Sequence, residues 1–95
     1  MNSYEIDVEG KKGLAVEIPL NKAPLILVKG EKGLVMCGYL NIEAAQKLGQ
    51  AAAMVRGVST AEDLLAARIV SVTEAASQLG VSPGMTGREA LSHLL

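Results

Sequence analysis

The 95-residue sequence predicts a single α+β domain. A mainly antiparallel sheet comes from the N-terminal half and is packed by short helices from the C-terminal half. Three observations predict this. Residues 4–39 carry alternating or continuous apolar runs split by Gly10-Lys11-Lys12-Gly13 and Gly30-Glu31-Lys32-Gly33. The later half carries three successive Ser/Thr-x-x-Glu signatures, each ahead of an apolar-periodic run. Between these regions, Ala51–Val55 is apolar and bounded by Gly49 and Gly57, which suits a strand.

Tyr4, Ile6 and Val8 alternate with Glu5, Asp7 and Glu9, so the first strand has one solvated face. Gly10–Gly13 turns the chain, and Leu14, Val16 and Ile18 alternate with Ala15 and Glu17 in a second strand. Pro19–Pro24 is irregular, because proline cannot donate to a ladder. Leu25–Val28 is continuously apolar and needs cover on both faces. Gly30–Gly33 turns it into a hairpin with Leu34–Tyr39. Asn41 caps a helix from Ile42 to Leu48, closed by Gly49. The three cap signatures then open helices at Ser59, through about Ala66, at Ser71, through Leu79 and stopped by Gly80, and at Thr86, through about Leu94. Ile69 and Val70 form a short extended link.

Hydrophobic residues make up 49% of a chain that has two tyrosines and neither Phe nor Trp, so the core must be aliphatic. A chain of this length buries roughly 60–65% of its unfolded surface. Apolar surface is therefore left over, and self-association into a homo-oligomer is expected. Nine basic residues against ten acidic ones, with Lys11-Lys12 the only adjacent basic pair, give no footprint for nucleic acid. The longest apolar run, the five residues Ala51–Val55, is far from a membrane span. Met-Asn-Ser-Tyr-Glu lacks the character of a signal peptide. One cysteine makes no internal disulfide and fits a reducing cytoplasm. One Cys and one His build no ordinary zinc site, and no cofactor is expected.

Four segments carry a family resemblance. Gly33-Leu34-Val35-Met36-Cys37-Gly38 is like Gly-x-[Ile/Val]-Met-Cys-Gly. Gly57-Val58-Ser59-Thr60-Ala61-Glu62-Asp63-Leu64-Leu65 is like Gly-Val-x-Thr-x-Glu-x-Leu-Leu. Ser71-Val72-Thr73 is followed by Ala75-Ala76 and Leu79-Gly80. Gly84-Met85-Thr86-Gly87-Arg88-Glu89-Ala90-Leu91 is like Gly-Met-[Thr/Ser]-Gly-Arg-Glu-Ala-Leu. From Leu25 onward the chain resembles the YunC-like family of small bacterial and archaeal domains of unknown function. The resemblance implies an α+β fold and a cytoplasmic setting, and assigns no catalytic roles.

Three places could carry chemistry. Cys37 ends a strand facing the start of the Asn41 helix, and a helix N-terminus favours a thiolate. It reads either as a nucleophilic or redox thiol or as a small buried hydrophobe. The one imidazole, His93, lies near the chain end, so a base would have to be Glu43 or a water. Gly84-Met85-Thr86-Gly87-Arg88 has the makeup of an anion site, with close-approaching amides and a guanidinium fork. Its bland reading is a turn and a cap, with Arg88 paired to Glu89 or Glu74. It lacks the length and lysine of a P-loop. Arg56, ahead of Gly57, sits at a strand-to-helix turn and either shares an anion with the next helix or is a solvated loop charge. Glu5, Asp7, Glu9 and Glu17 read as a solvated sheet face.

These residues support an oligomeric module that binds a small anionic molecule through Arg56, Gly84, Thr86, Gly87 and Arg88. The alternative is an enzyme using Cys37, and a purely structural or interaction domain stands beside both. Binding or interaction ranks ahead of catalysis because the catalytic complement is thin.

Overall fold

The computed structural model, which describes residues 2–95, has six strands and four short helices, and all but the sixth strand lie close to where the sequence pattern places them. Strands β1 (Asn2–Val8), β2 (Lys11–Ile18), β3 (Leu25–Lys29), β4 (Leu34–Met36), β5 (Ala52–Met54) and β6 (Ser71–Val72) form one sheet in sequence order. All neighbours are antiparallel except β4 and β5, which are parallel. The parallel pair is joined by helix α1 (Ile42–Leu48), as a parallel connection requires. Helices α2 (Ala61–Ala66), α3 (Glu74–Gln78) and α4 (Gly87–Ser92) complete the chain.

The β1–β2 turn is tighter than the glycine spacing predicts. Val8 pairs with Lys11, and the two-residue turn Glu9-Gly10 has φ of 54° and 81°. Both positive angles match the twist of a hairpin, and glycine adopts one of them without strain. Gly13 therefore lies inside β2. Strand β4 is also shorter than expected and ends at Met36.

Two of the three cap signatures act one or two residues later than predicted. Thr60, not Ser59, caps α2: its side chain accepts from the Asp63 amide, while the Asp63 carboxylate accepts from the Ser59 amide. Thr73, not Ser71, caps α3, because Ser71 and Val72 are drawn into β6. The buried Thr73 hydroxyl accepts from the amides of Ala52 and Ala76 and donates to the Gln50 carbonyl. It thus ties β5 to α3, which the Ser71 alternative could not do. At α4 the predicted box forms in full: Thr86 accepts from the Glu89 amide and Glu89 accepts from the Thr86 amide. The helix is shorter than expected and ends at Ser92.

The core is aliphatic and lies in two layers. The larger one joins Ile26, Val28, Val35, Ala53 and Val55 of the sheet region to Leu64, Ala76, Leu91 and Leu94. The smaller one sets Ala45 and Ile42 of α1 against Met36, Ala52 and Met54 on the opposite face. Alternation explains the split: Val35 and Ala53 point one way, and Met36, Ala52 and Met54 the other. Gly87 fixes how closely α4 meets α2, since a Cβ there would run into the Leu64 carbonyl oxygen.

Glu17 corrects the reading of a solvated acidic face. It points toward the helix layer, where it accepts from the Ala61 amide at 2.8 Å and from the Tyr4 hydroxyl at 3.3 Å.

Candidate functional site

Strands β4 and β5 end side by side, with Met36 opposite Met54. The Val55 amide donates to the Met36 carbonyl at 2.9 Å and extends the pairing by one residue. Beyond that point the two connections part. After β4 the chain crosses to the face that carries α1. After β5 it crosses to the face that carries α2. Adjacent parallel strands whose connections leave on opposite faces open a crevice at their carboxyl ends. A cleft of about 310 Å³ lies there, lined by Cys37, Gly38 and Tyr39 after β4, Gly57 and Val58 after β5, and Ala23 and Pro24 before β3.

Cys37 forms part of the wall while remaining almost wholly buried at 4% exposure. Its Sγ accepts a hydrogen bond from the Ile26 amide at 3.3 Å, so the thiol is anchored on β3. It does not receive the amides at the start of α1: Asn41 Oδ1 already accepts from Glu43 and Ala44. No imidazole or carboxylate lines the cleft. His93 packs against Gly80, and Glu43 lines a separate groove with Ser71 and Val72.

Arg56 is exposed beside the cleft. Its Cγ lies 3.9 Å from where a Gly38 Cβ would stand, so its stem passes over the glycine at the rim.

Gly84, Thr86, Gly87 and Arg88 sit elsewhere, at the start of α4 against the end of α2. The amides of Gly84, Thr86 and Gly87 are engaged within the protein. Gly84 donates to the Ile69 carbonyl, Gly87 to the Ala67 carbonyl and Thr86 to Glu89. Arg68 Nη1 donates to the Gly84 carbonyl at 3.0 Å. The Glu89 carboxyl is held below its ordinary value, first by the Thr86 amide and then by the Thr86 hydroxyl. Arg88 is exposed and does not line the cleft. The structure therefore brings Cys37 and Arg56 together and leaves the Arg88 segment apart from them.

Ala23, Pro24 and Tyr39 are cleft residues that lie outside every motif of the sequence, and Val58 lies inside one without being a candidate. The strand–helix–strand order over residues 34–55 is the signal that could have found them, because it implies a parallel pair and hence a crevice at its carboxyl ends. Among the described residues, no cluster of three or more His, Cys, Asp or Glu is placed to hold a metal ion. No helix among them is long and apolar enough to cross a membrane.

Residues 36–94 match the sequence profile of the domain of unknown function DUF1805. The chain belongs to this family. Over its whole length it is 37% identical to the uncharacterized protein YunC of Bacillus subtilis (strain 168), covering 98% of that protein. The DUF1805 fold is also seen in the crystal structure of a protein of unknown function, TA1206, from Thermoplasma acidophilum. That structure superposes with a TM-score of 0.94 at 37% identity, over 99% of this chain and 92% of the other. The YunC-like resemblance of the motifs thus extends to the whole chain and includes the first hairpin.

Proposed function

We propose that this DUF1805 domain binds a small anionic molecule in the crevice at the carboxyl ends of β4 and β5. The observation that carries this reading is the divergence of the two connections there, with Arg56 at the rim. The cleft is at the small end of the range for ligand sites. Its walls are mostly apolar, and one charged group stands at the edge. That suits a compact ligand with an apolar body and one phosphate or carboxylate. The glycines at 38 and 57 leave room for the ligand to approach the backbone.

NMR titration with inorganic phosphate and with short-chain carboxylates tests the reading. Amide shifts should concentrate at Cys37–Tyr39 and Arg56–Val58. Shifts confined to the Thr86–Arg88 segment would move the site to α4.

A second reading makes Cys37 a nucleophile. It has one observation in its favour: Cys37 is among the residues that line the cleft, and its sulfur accepts from the Ile26 amide. The cleft's lining offers no general base, so binding ranks above catalysis. Rapid alkylation of Cys37 at neutral pH, blocked by a bound ligand, would reverse that order.

A further inference from the structure

We infer that a second copy of this chain docks face to face against β1–β3, on the sheet face that α1 leaves bare. Helix α1 covers that face only over β4 and β5. Across β2 and β3 the same face presents Leu14, Val16, Ile18 and Leu27, with Val16 opposite Leu27. Leu14 is 39% exposed, and the other three are only partly covered. The apolar alternation of β2 is therefore turned away from the helix layer, where Ala15 is fully buried instead.

The bare face also has a wall. Ala45 of α1 points at the sheet, and Ile42, Glu43, Gln46 and Lys47 line the groove toward β6. At about 100° per residue, Ala44 and Leu48 fall on the opposite flank, toward β3. Leu48 is 83% exposed, the most exposed large apolar side chain among the described residues. Floor and wall together make an apolar step.

Charge selects the occupant. Glu5, Leu14 and Lys29 lie in one register row, with acid and base on either side of the leucine. Each is one strand, roughly 4.8 Å, from Leu14. A two-fold axis running along the strands beneath Leu14 places Glu5 of each copy over Lys29 of the other, twice over. In this row the face is complementary to itself, as an isologous dimer requires, while one row on, at the edge of the contact, the axis sets Lys12, flanked by Asp7, over the Lys12 of the other copy.

The layers also fit. Stacked sheets lie about 10 Å apart, close to the width of a helix. In this arrangement α1 of one copy lies level with the sheet of the other and beside its β1. The seven-residue edge of β1, otherwise open to stray pairing, is covered.

Light scattering and sedimentation at micromolar concentration, with circular dichroism as a folding check, test this surface. The parent should have the mass of a dimer or a higher even assembly. Leu14→Asp and Leu48→Asp should each give monomers or weaken the contact strongly. Glu5→Lys and Lys29→Glu should each weaken it on the order of tenfold, and the double exchange should restore it. A monomeric parent, or a dimer in which the double exchange is no tighter than either single change, overturns the proposal. The charge exchange decides the matter even if an aspartate variant fails to fold. None of these residues lines the β4–β5 cleft, so the result stands apart from ligand binding.

Discussion

Glu17 Oε2 accepts a 2.8 Å hydrogen bond from the Ala61 amide, joining β2 to the first residue of α2 across 44 positions of sequence. One of the orphan amides of a short helix is satisfied by a strand residue, and a carboxylate stands at the positive end of the helix. The same oxygen accepts from Tyr4 on β1. The Tyr4 hydroxyl is held above its ordinary value, first by reduced solvation and then by the charge of Glu17. Glu17→Ala should destabilise the fold by about 1–2 kcal/mol. Glu17→Gln, which keeps an acceptor, should cost less. Urea midpoints check both, and equal losses would show that the hydrogen bond contributes little.

The cap of α4 should make stability fall in acid. Thr86→Ala should cost about 0.5–2 kcal/mol in urea unfolding. Glu89 is the titrating member of the box. Its folded carboxyl is held below the ordinary value of 4.5. Its contribution is therefore fully present above that value, and is lost as pH falls through it toward the lower folded value. The Glu89→Gln variant should show a shallower loss of stability over that acid window than the parent. Parallel curves for the two proteins would mean that Glu89 has no part in it.

Gly87→Ala should be the most damaging single methyl in the chain's second half. The added Cβ meets a backbone carbonyl, that of Leu64, rather than a flexible side chain. The cost should exceed about 2 kcal/mol, because α4 must move off α2 or distort it. A melting temperature within a degree or so of the parent would contradict this packing.

Cys37→Ala and Cys37→Ser separate the volume of the thiol from its role as an acceptor. Alanine leaves the buried Ile26 amide unpaired and should cost about 1–3 kcal/mol. Serine keeps an acceptor at a shorter reach and should recover part of the loss. If the cysteine only fills space, alanine should be the milder of the two changes.

Five of the six strands, the hairpins and the Thr86 box are legible in sequence because each rests on neighbours a few residues apart, and the aliphatic core is legible from composition. Ser71 was misread because pairing with Met54 on β5 outweighs its local capping signal, and Thr73 two residues later meets the same need. Glu17 was misread because its partner lies far along the chain and strand alternation alone does not say which face is buried. Cys37 and Arg56 are both candidates on sequence grounds, but their nearness depends on β4 and β5 lying in parallel, a non-local fact. The Arg88 segment has similar local composition and sits apart from them.

Melting temperature in the presence of phosphate, sulfate and short-chain carboxylates is the decisive measurement for an anion site in the β4–β5 crevice. Ligands that bind only the folded state raise it by linkage. At least one of these anions should raise the melting temperature of the parent and of Arg88→Ala, and fail to raise that of Arg56→Ala. A shift retained in Arg56→Ala and lost in Arg88→Ala, or no shift in any of the three proteins, would contradict a site at the ends of β4 and β5.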